Sequence, residues 1–168
     1  MLSFLFRGLT AETPGAAALF DALTAEARKP HWYVQGGVPD TLDGRFAVLA
    51  TIIALVLVRL ERDGEAGDRV SVALTERFIH VMESEHRELG LGDPTLGRTV
   101  RKLVGMLAHR TELWRSATDA NWGQATRESL YKDEANDDTL GHSAAALKTF
   151  AERACRTSLT DLKQGKIA

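Results

Sequence analysis

Apolar residues recur along this chain at intervals of three and four, the spacing of one helix face. Leu19, Phe20 and Leu23 mark the first such face. The pattern predicts a helix over residues 14–29, with Thr13 as its cap, Pro14 in its first turn and Pro30 as its stop. Residues 31–39 read as a loop, broken by Gly36, Gly37 and Pro39. A second helix is predicted from about Thr41 to Asp63-Gly64. Between 46 and 58 its only polar residue is Thr51, and a helix apolar on every side is one enclosed by other helices. This is the expected centre of the core.

Gly64-Glu65-Ala66-Gly67 reads as a linker, so a third helix is expected from Asp68. Val70, Leu74, Phe78, Val81, Met82 and Leu89 form its face, and Gly90 fits a left-handed terminator. After a loop over 91–97, Val100, Leu103, Val104, Leu107 and Trp114 share one side of a fourth helix. A short helix follows over 122–131, then an acidic loop over 133–138. Leu147, Phe150, Ala151, Ala154 and Cys155 mark a last long helix. No segment alternates over strand length. The expectation is therefore an all-α, single globular multi-helix domain over 1–168 with a central, fully buried helix. Residues 1–12 are expected to be a flexible or surface-binding segment, and 163–168 a frayed tail.

Composition narrows the classes. With 168 residues, 44% of them hydrophobic, the chain can build one well-buried domain. A net charge of −2 gives no general attraction to nucleic acid. A single cysteine excludes an internal disulfide and a multi-cysteine metal site. Met1-Leu2-Ser3-Phe4-Leu5-Phe6 is apolar, but Arg7 ends it before a signal-peptide core of about 7–15 residues is complete. Arg45 and Arg59 bracket the longest uncharged run, which falls short of the roughly 20 residues a spanning helix needs. The reading is a soluble chain that sits, at most, on a membrane surface.

Several chemistries can be weighed against plainer roles. Asp40 and Asp43 could be a catalytic carboxylate pair with Arg45 beside them. Acidic groups at a helix start more commonly accept its orphan amide hydrogens and complement its dipole. Arg45, placed just before an apolar helix, is expected to pair with Asp40, Asp43 or Asp93. Glu83 and His86 have the Glu-x-x-His step of di-iron bundles, but those sites need a second step and two more carboxylates. His86 reads as a core or boundary histidine. His31, His80, His109 and His142 are scattered, with no pair favoured for haem. Cys155, in line with Phe150, Ala151 and Ala154, reads as a buried thiol. Arg98, Arg101, Lys102, His109 and Arg110 lie broadly on one side of the fourth helix, as a solvated face or a surface for anionic lipid or ribosomal RNA. Trp32 and Tyr33 either anchor their Gly-rich loop in the core or form part of a binding surface.

Two stretches carry more glycine and charge than capping requires. Val38, Pro39, Asp40, Thr41, Asp43, Gly44, Arg45 and Phe46 form the first. Arg87, Glu88, Leu89, Gly90, Gly92 and Asp93 form the second, preceded by Phe78 and Met82. Together with Ala27-Arg28-Lys29-Pro30 and Trp32-Tyr33, they resemble the ubiquinol–cytochrome c chaperone family, assembly factors for respiratory complex III. Gly97, Arg98 and Lys102 look like its basic continuation. Glu83, Ala108-His109 and Glu128 depart from the family pattern, so the C-terminal match is weaker.

The resemblance implies an all-α fold, no catalysis, no cofactor and a role in maturing cytochrome b. It implies a protein of the cytoplasm, peripheral at the cytoplasmic face of the inner membrane. Its client is cytochrome b. Ribosome or anionic lipid would meet Arg98, Arg101, Lys102 and Arg110, with no specific nucleic-acid sequence. Binding residues are expected at Trp32, Tyr33, Val38, Pro39, Asp40, Asp43, Gly44, Arg45, Phe46, Glu88, Gly90, Gly92 and Asp93. A strongly apolar client calls for an apolar groove between helices, near residues 32–46. The competing readings are a small all-α enzyme centred on Asp40, Asp43 and Arg45, and an adaptor docking through the basic stripe.

Overall fold

A computed structural model gives the fold, and residues 14–90, 92–132 and 135–168 are described. Among them every regular element is helical: α1 (Pro14–Ala27), α2 (Leu42–Leu60), α3 (Gly64–Glu88), α4 (Asp93–Arg115), α5 (Trp122–Leu130), α6 (Asp137–Arg156) and α7 (Leu159–Lys163). Short 3-10 turns at Pro30–Trp32 and Glu61–Asp63 follow α1 and α2. The expected Thr13 cap and the segment 1–12 lie outside the described residues.

The apolar run of α2 does what its composition demands. Ala47 to Val56 are all buried, including Thr51, whose hydroxyl donates to the Ala47 carbonyl at 2.7 Å. Helices α1, α3, α4, α5 and α6 all pack on it, α4 most extensively. Leu19 and Leu23 of α1, Leu74 and Phe78 of α3, and Leu147 and Phe150 of α6 complete one core. Burying each such side chain contributes on the order of 2 kcal/mol, the main stabilising term.

Helix boundaries correct the sequence reading in two places. Helix α3 begins at Gly64, not at Asp68. Gly64 makes the turn with φ +54°, and Gly67 is already one turn inside the helix. A Cβ at Gly67 would overlap the Leu60 carbonyl, so this glycine serves a close packing contact, not a flexible linker. Helix α4 begins at Asp93, with Pro94 in its first turn, so the preceding loop is shorter than expected. Gly90 has φ +83° and its amide donates to Arg87 O, the left-handed stop that the sequence suggested.

The tail lies against the end of α6 and against α1. The Ala168 amide donates to Thr157 Oγ1 at 3.0 Å, and Arg153 Nε donates to the Ala168 carbonyl at 2.5 Å. Ile167 packs against the core, and Gly165 (φ +70°) lets the backbone pass close to Ala18 of α1. Cys155 is exposed, not buried. Leu147, Phe150 and Ala154 take the inner face of α6, and Cys155 is turned one residue away from it.

Arg59 is a buried cation, at 5% exposure. Its Nε donates to Ala154 O at 3.1 Å and its Nη2 to Thr157 O at 2.7 Å, while Nη1 meets the Asp63 carboxylate at 2.5 Å. The C-terminal end of α6 thus receives two donors from an arginine of α2, one of them on the Thr157 carbonyl just past the helix. Arg62 adds a bond to Cys155 O at 2.8 Å.

The loop between α1 and α2 is pinned from both sides. Trp32 is fully buried, with Nε1 donating to Glu26 O at 2.9 Å, and Tyr33 Oη donates to Ala27 O at 2.8 Å. Tyr131 Oη lies 2.6 Å from Gly36 O and 2.8 Å from Ser143 Oγ, joining the loop to α6. A Cβ at Gly36 would press on both Trp32 O and Ser143 Oγ.

His31 and His142, 111 residues apart, meet at 3.1 Å between Nδ1 and Nε2, a pairing the scattered histidines did not suggest. One nitrogen must donate and the other accept, so the bond fails once both rings are protonated. Burial, then the His142 ring, pushes the His31 pKa below 6.5. Glu26 acts in the opposite sense and Lys29 in the same sense as His142. The unfolded state therefore binds the proton first, and stability falls as pH drops through 6.5 toward the lower folded value. Urea unfolding at pH 7.5 and 5.5 should show the loss, and His31→Asn should reduce the difference.

Candidate functional site

The first motif opens α2. Thr41 is its cap: extended at φ −119°, ψ 168°, its Oγ1 accepts from the Gly44 amide at 3.2 Å. The carboxylates do not take that role. Asp40 pairs with Arg45 Nε at 2.6 Å, and Asp43 pairs with Lys132 at 2.5 Å. Arg45 has one of the partners expected of it, though for a different reason. Both members of that pair are more than half exposed, so enclosure does not drive it.

The hydrogen bond from Arg45 holds the Asp40 carboxyl below the usual carboxylate range, and the one from Lys132 does the same for Asp43. Both groups are thus held as charged carboxylates. Among the described residues no three His, Cys, Asp or Glu side chains gather as a metal site. His86 is a boundary residue, with Nδ1 donating to Met82 O at 2.7 Å.

Beside this motif lies a groove of about 1660 Å³. Phe20 and Thr24 of α1, Tyr33 and Pro39 of the loop, and Leu42, Phe46 and Leu49 of α2 line it. Val81 and Met82 of α3 with Leu89 just after it, Leu103 and Met106 of α4, and residues 128–132 close the other sides. Leu42 and Leu89 are 53% and 65% exposed, so apolar surface stands open at its edge. Met82 and Met106 add side chains that adapt to irregular shapes. A helix about 10–12 Å across would fill this volume over roughly three turns.

Of the expected binding residues, Tyr33, Pro39, Asp43, Gly44, Arg45, Phe46 and Glu88 border the groove. Trp32 and Val38 are buried and support its wall instead of offering surface. Asp40 stands outside, exposed on Arg45, and Gly90 and Gly92 are exposed around the turn into α4, which Asp93 opens. Most of the groove residues that motif reading missed come from α1, from the inner turns of α3 and α4, and from α5, outside both motifs.

The basic stripe is also revised. Arg98, Arg101, Lys102 and His109 are exposed, but Arg110 is not. It is 8% exposed and binds Ser129 O through Nη2 (2.8 Å) and Nε (3.3 Å), and Met106 O through Nη1 (3.2 Å). Its guanidinium lies 5.8 Å from the centre of the Phe46 ring. Position 110 follows Leu107 by three and precedes Trp114 by four, which puts it on the inner face.

Comparison with known proteins places this chain and its fold in one class. A family model described as ubiquinol-cytochrome C chaperone matches residues 34–163, and the chain belongs to that family. The crystal structure of the Cbp3 homolog from Brucella abortus superposes with a TM-score of 0.76 at 26% identity, covering 100% of this chain and 96% of that one. No curated protein sequence matches significantly.

Proposed function

We propose that this protein is a non-catalytic assembly chaperone for respiratory complex III that holds newly made cytochrome b in the groove between α1 and α5. One observation carries the reading: a family member presents a helix-sized groove with apolar side chains open at its rim. A freshly made membrane helix has the same need in reverse, since its apolar surface must be covered until it is assembled. Among the described residues no helix is long and apolar enough to cross a membrane, so the client supplies the membrane-spanning part. The working place is peripheral, at the cytoplasmic face of the inner membrane. The exposed Arg98, Arg101 and Lys102 would face anionic lipid or the ribosome there.

Deleting the gene tests the role. Assembled ubiquinol–cytochrome c reductase should fall while ATP synthase stays largely intact. Normal cytochrome b and normal complex III activity in the deletion strain would overturn it. Binding should also survive moderate salt, because apolar burial is not screened.

A further inference from the structure

The groove contains a cation with no acid beside it. Arg110 has five N–H donors, and three of them go to the Ser129 and Met106 carbonyls. One N–H on each terminal nitrogen is left over. Burial alone depresses the Arg110 pKa, and no carboxylate acts on it. The two buried cations among the described residues therefore differ. Arg59 has the Asp63 carboxylate, whereas Arg110 has none. The Ser129 carbonyl belongs to the last turn of α5, so Arg110 also caps that helix and feels its negative end. That accounts for three donors and leaves two.

A second polar group is orphaned at the same place. Ser129 is 1% exposed and its Oγ has no hydrogen-bond partner, although its carbonyl is the Arg110 acceptor. Thr24 Oγ1, across the groove on α1, is likewise buried and unpaired. All three residues line the groove, among Phe46, Leu103 and Met106. Buried donors left unmade are costly, and a partly desolvated guanidinium binds a carboxylate through two parallel bonds.

We infer that Arg110 and Ser129 form a carboxylate-binding subsite in the groove, and that it takes an acidic side chain carried on an otherwise apolar helix of the client. This rests on the groove reading above and adds a selection rule to it. An apolar helix with one acid would be held in a fixed register, with its carboxylate at Arg110 and its apolar residues against Phe46 and the two methionines. Such an acid is hard to shelter in any other way while the client is outside its complex.

Calorimetry with the full chain tests this. The probes are lysine-flanked Leu/Ala helical peptides carrying one Glu at each of four successive central positions, each with a Gln counterpart. At one or more positions the Glu peptide should bind roughly tenfold tighter than its Gln twin. Arg110→Gln should remove that ratio, and Arg110→Lys should restore only part of it. The wild-type comparison needs no variant, so it stands if Arg110→Gln does not fold. Equal affinities for Glu and Gln peptides at all four positions would overturn the subsite and leave the groove reading in place. Binding of none of the peptides would overturn both.

Discussion

Arg59→Ala should be the most damaging single substitution outside the apolar core, lowering stability by about 3–5 kcal/mol, the usual cost of breaking a buried ion pair by removing one partner. The loss has three parts. Thr157 O loses its donor, Ala154 O keeps only the Thr157 amide, and Asp63 is left as a carboxylate that is three-quarters covered. For a chain of this length the melting temperature should drop by about 10 °C or more. Arg59→Lys should not rescue it, because an ammonium cannot reach three acceptors in different directions. Arg62→Ala, exposed and making one bond to Cys155 O, should cost about 0.5–1 kcal/mol. Equal losses for Arg59→Ala and Arg62→Ala in urea unfolding would contradict this account of how α2 and α6 are joined.

Gly44→Ala should come second. A methyl at this position would fall well inside the contact distance of the Pro39 carbonyl oxygen, and would also approach the Val38 side chain at 3.3 Å. The neighbour is backbone, held by the Val38–Trp32 amide bond and by the Thr41 cap, so it cannot turn aside. Overpacking of this kind costs about 1–3 kcal/mol, and losing the cap adds about 1 kcal/mol more. The residues that would shift, Pro39 and Thr41, border the groove, so client binding should weaken even where the variant is folded. Glycines with open space around them set the contrast. Gly97→Ala and Gly105→Ala in α4, where a Cβ meets nothing within 4 Å, should be neutral or slightly stabilising, since alanine is the better helix former. A thermal-shift series over these three positions separates the cases.

The helices were legible wherever a face repeated over several turns. The enclosure of α2 followed from a run with no charge between Phe46 and Val58, and the stop at Gly90 followed from one glycine after Leu89. Local signals misled where a residue was chosen for something distant. Gly67 looked like a linker because the sequence cannot show the Leu60 carbonyl above it. Arg59 looked like a charge bracketing an apolar run, and its acceptors stand 95 and 98 residues later. The His31–His142 contact joins a 3-10 turn to α6 across 111 positions.

Arg110 is a different case, because its spacing from Leu107 and Trp114 already put it inside. Grouping it with Arg98 and Lys102 by charge hid that. Cys155 failed similarly, being adjacent to Ala154 in sequence but turned outward on the helix. As for the groove, the two motifs gave one wall through Pro39, Phe46 and Glu88. The opposite wall, from Leu103, Met106 and residues 128–132, required the packing of α4 and α5 on α2.

The most direct test of the client groove is site-specific photocrosslinking in cells. A photoreactive phenylalanine analogue at Leu42 or Leu89, exposed at the groove edge, should yield adducts identified by mass spectrometry as cytochrome b. The same analogue at Val72, equally exposed on α3 but outside the groove, should yield none. Cytochrome b adducts from Val72 and none from Leu42 or Leu89 would contradict the account, as would the absence of cytochrome b from all three positions.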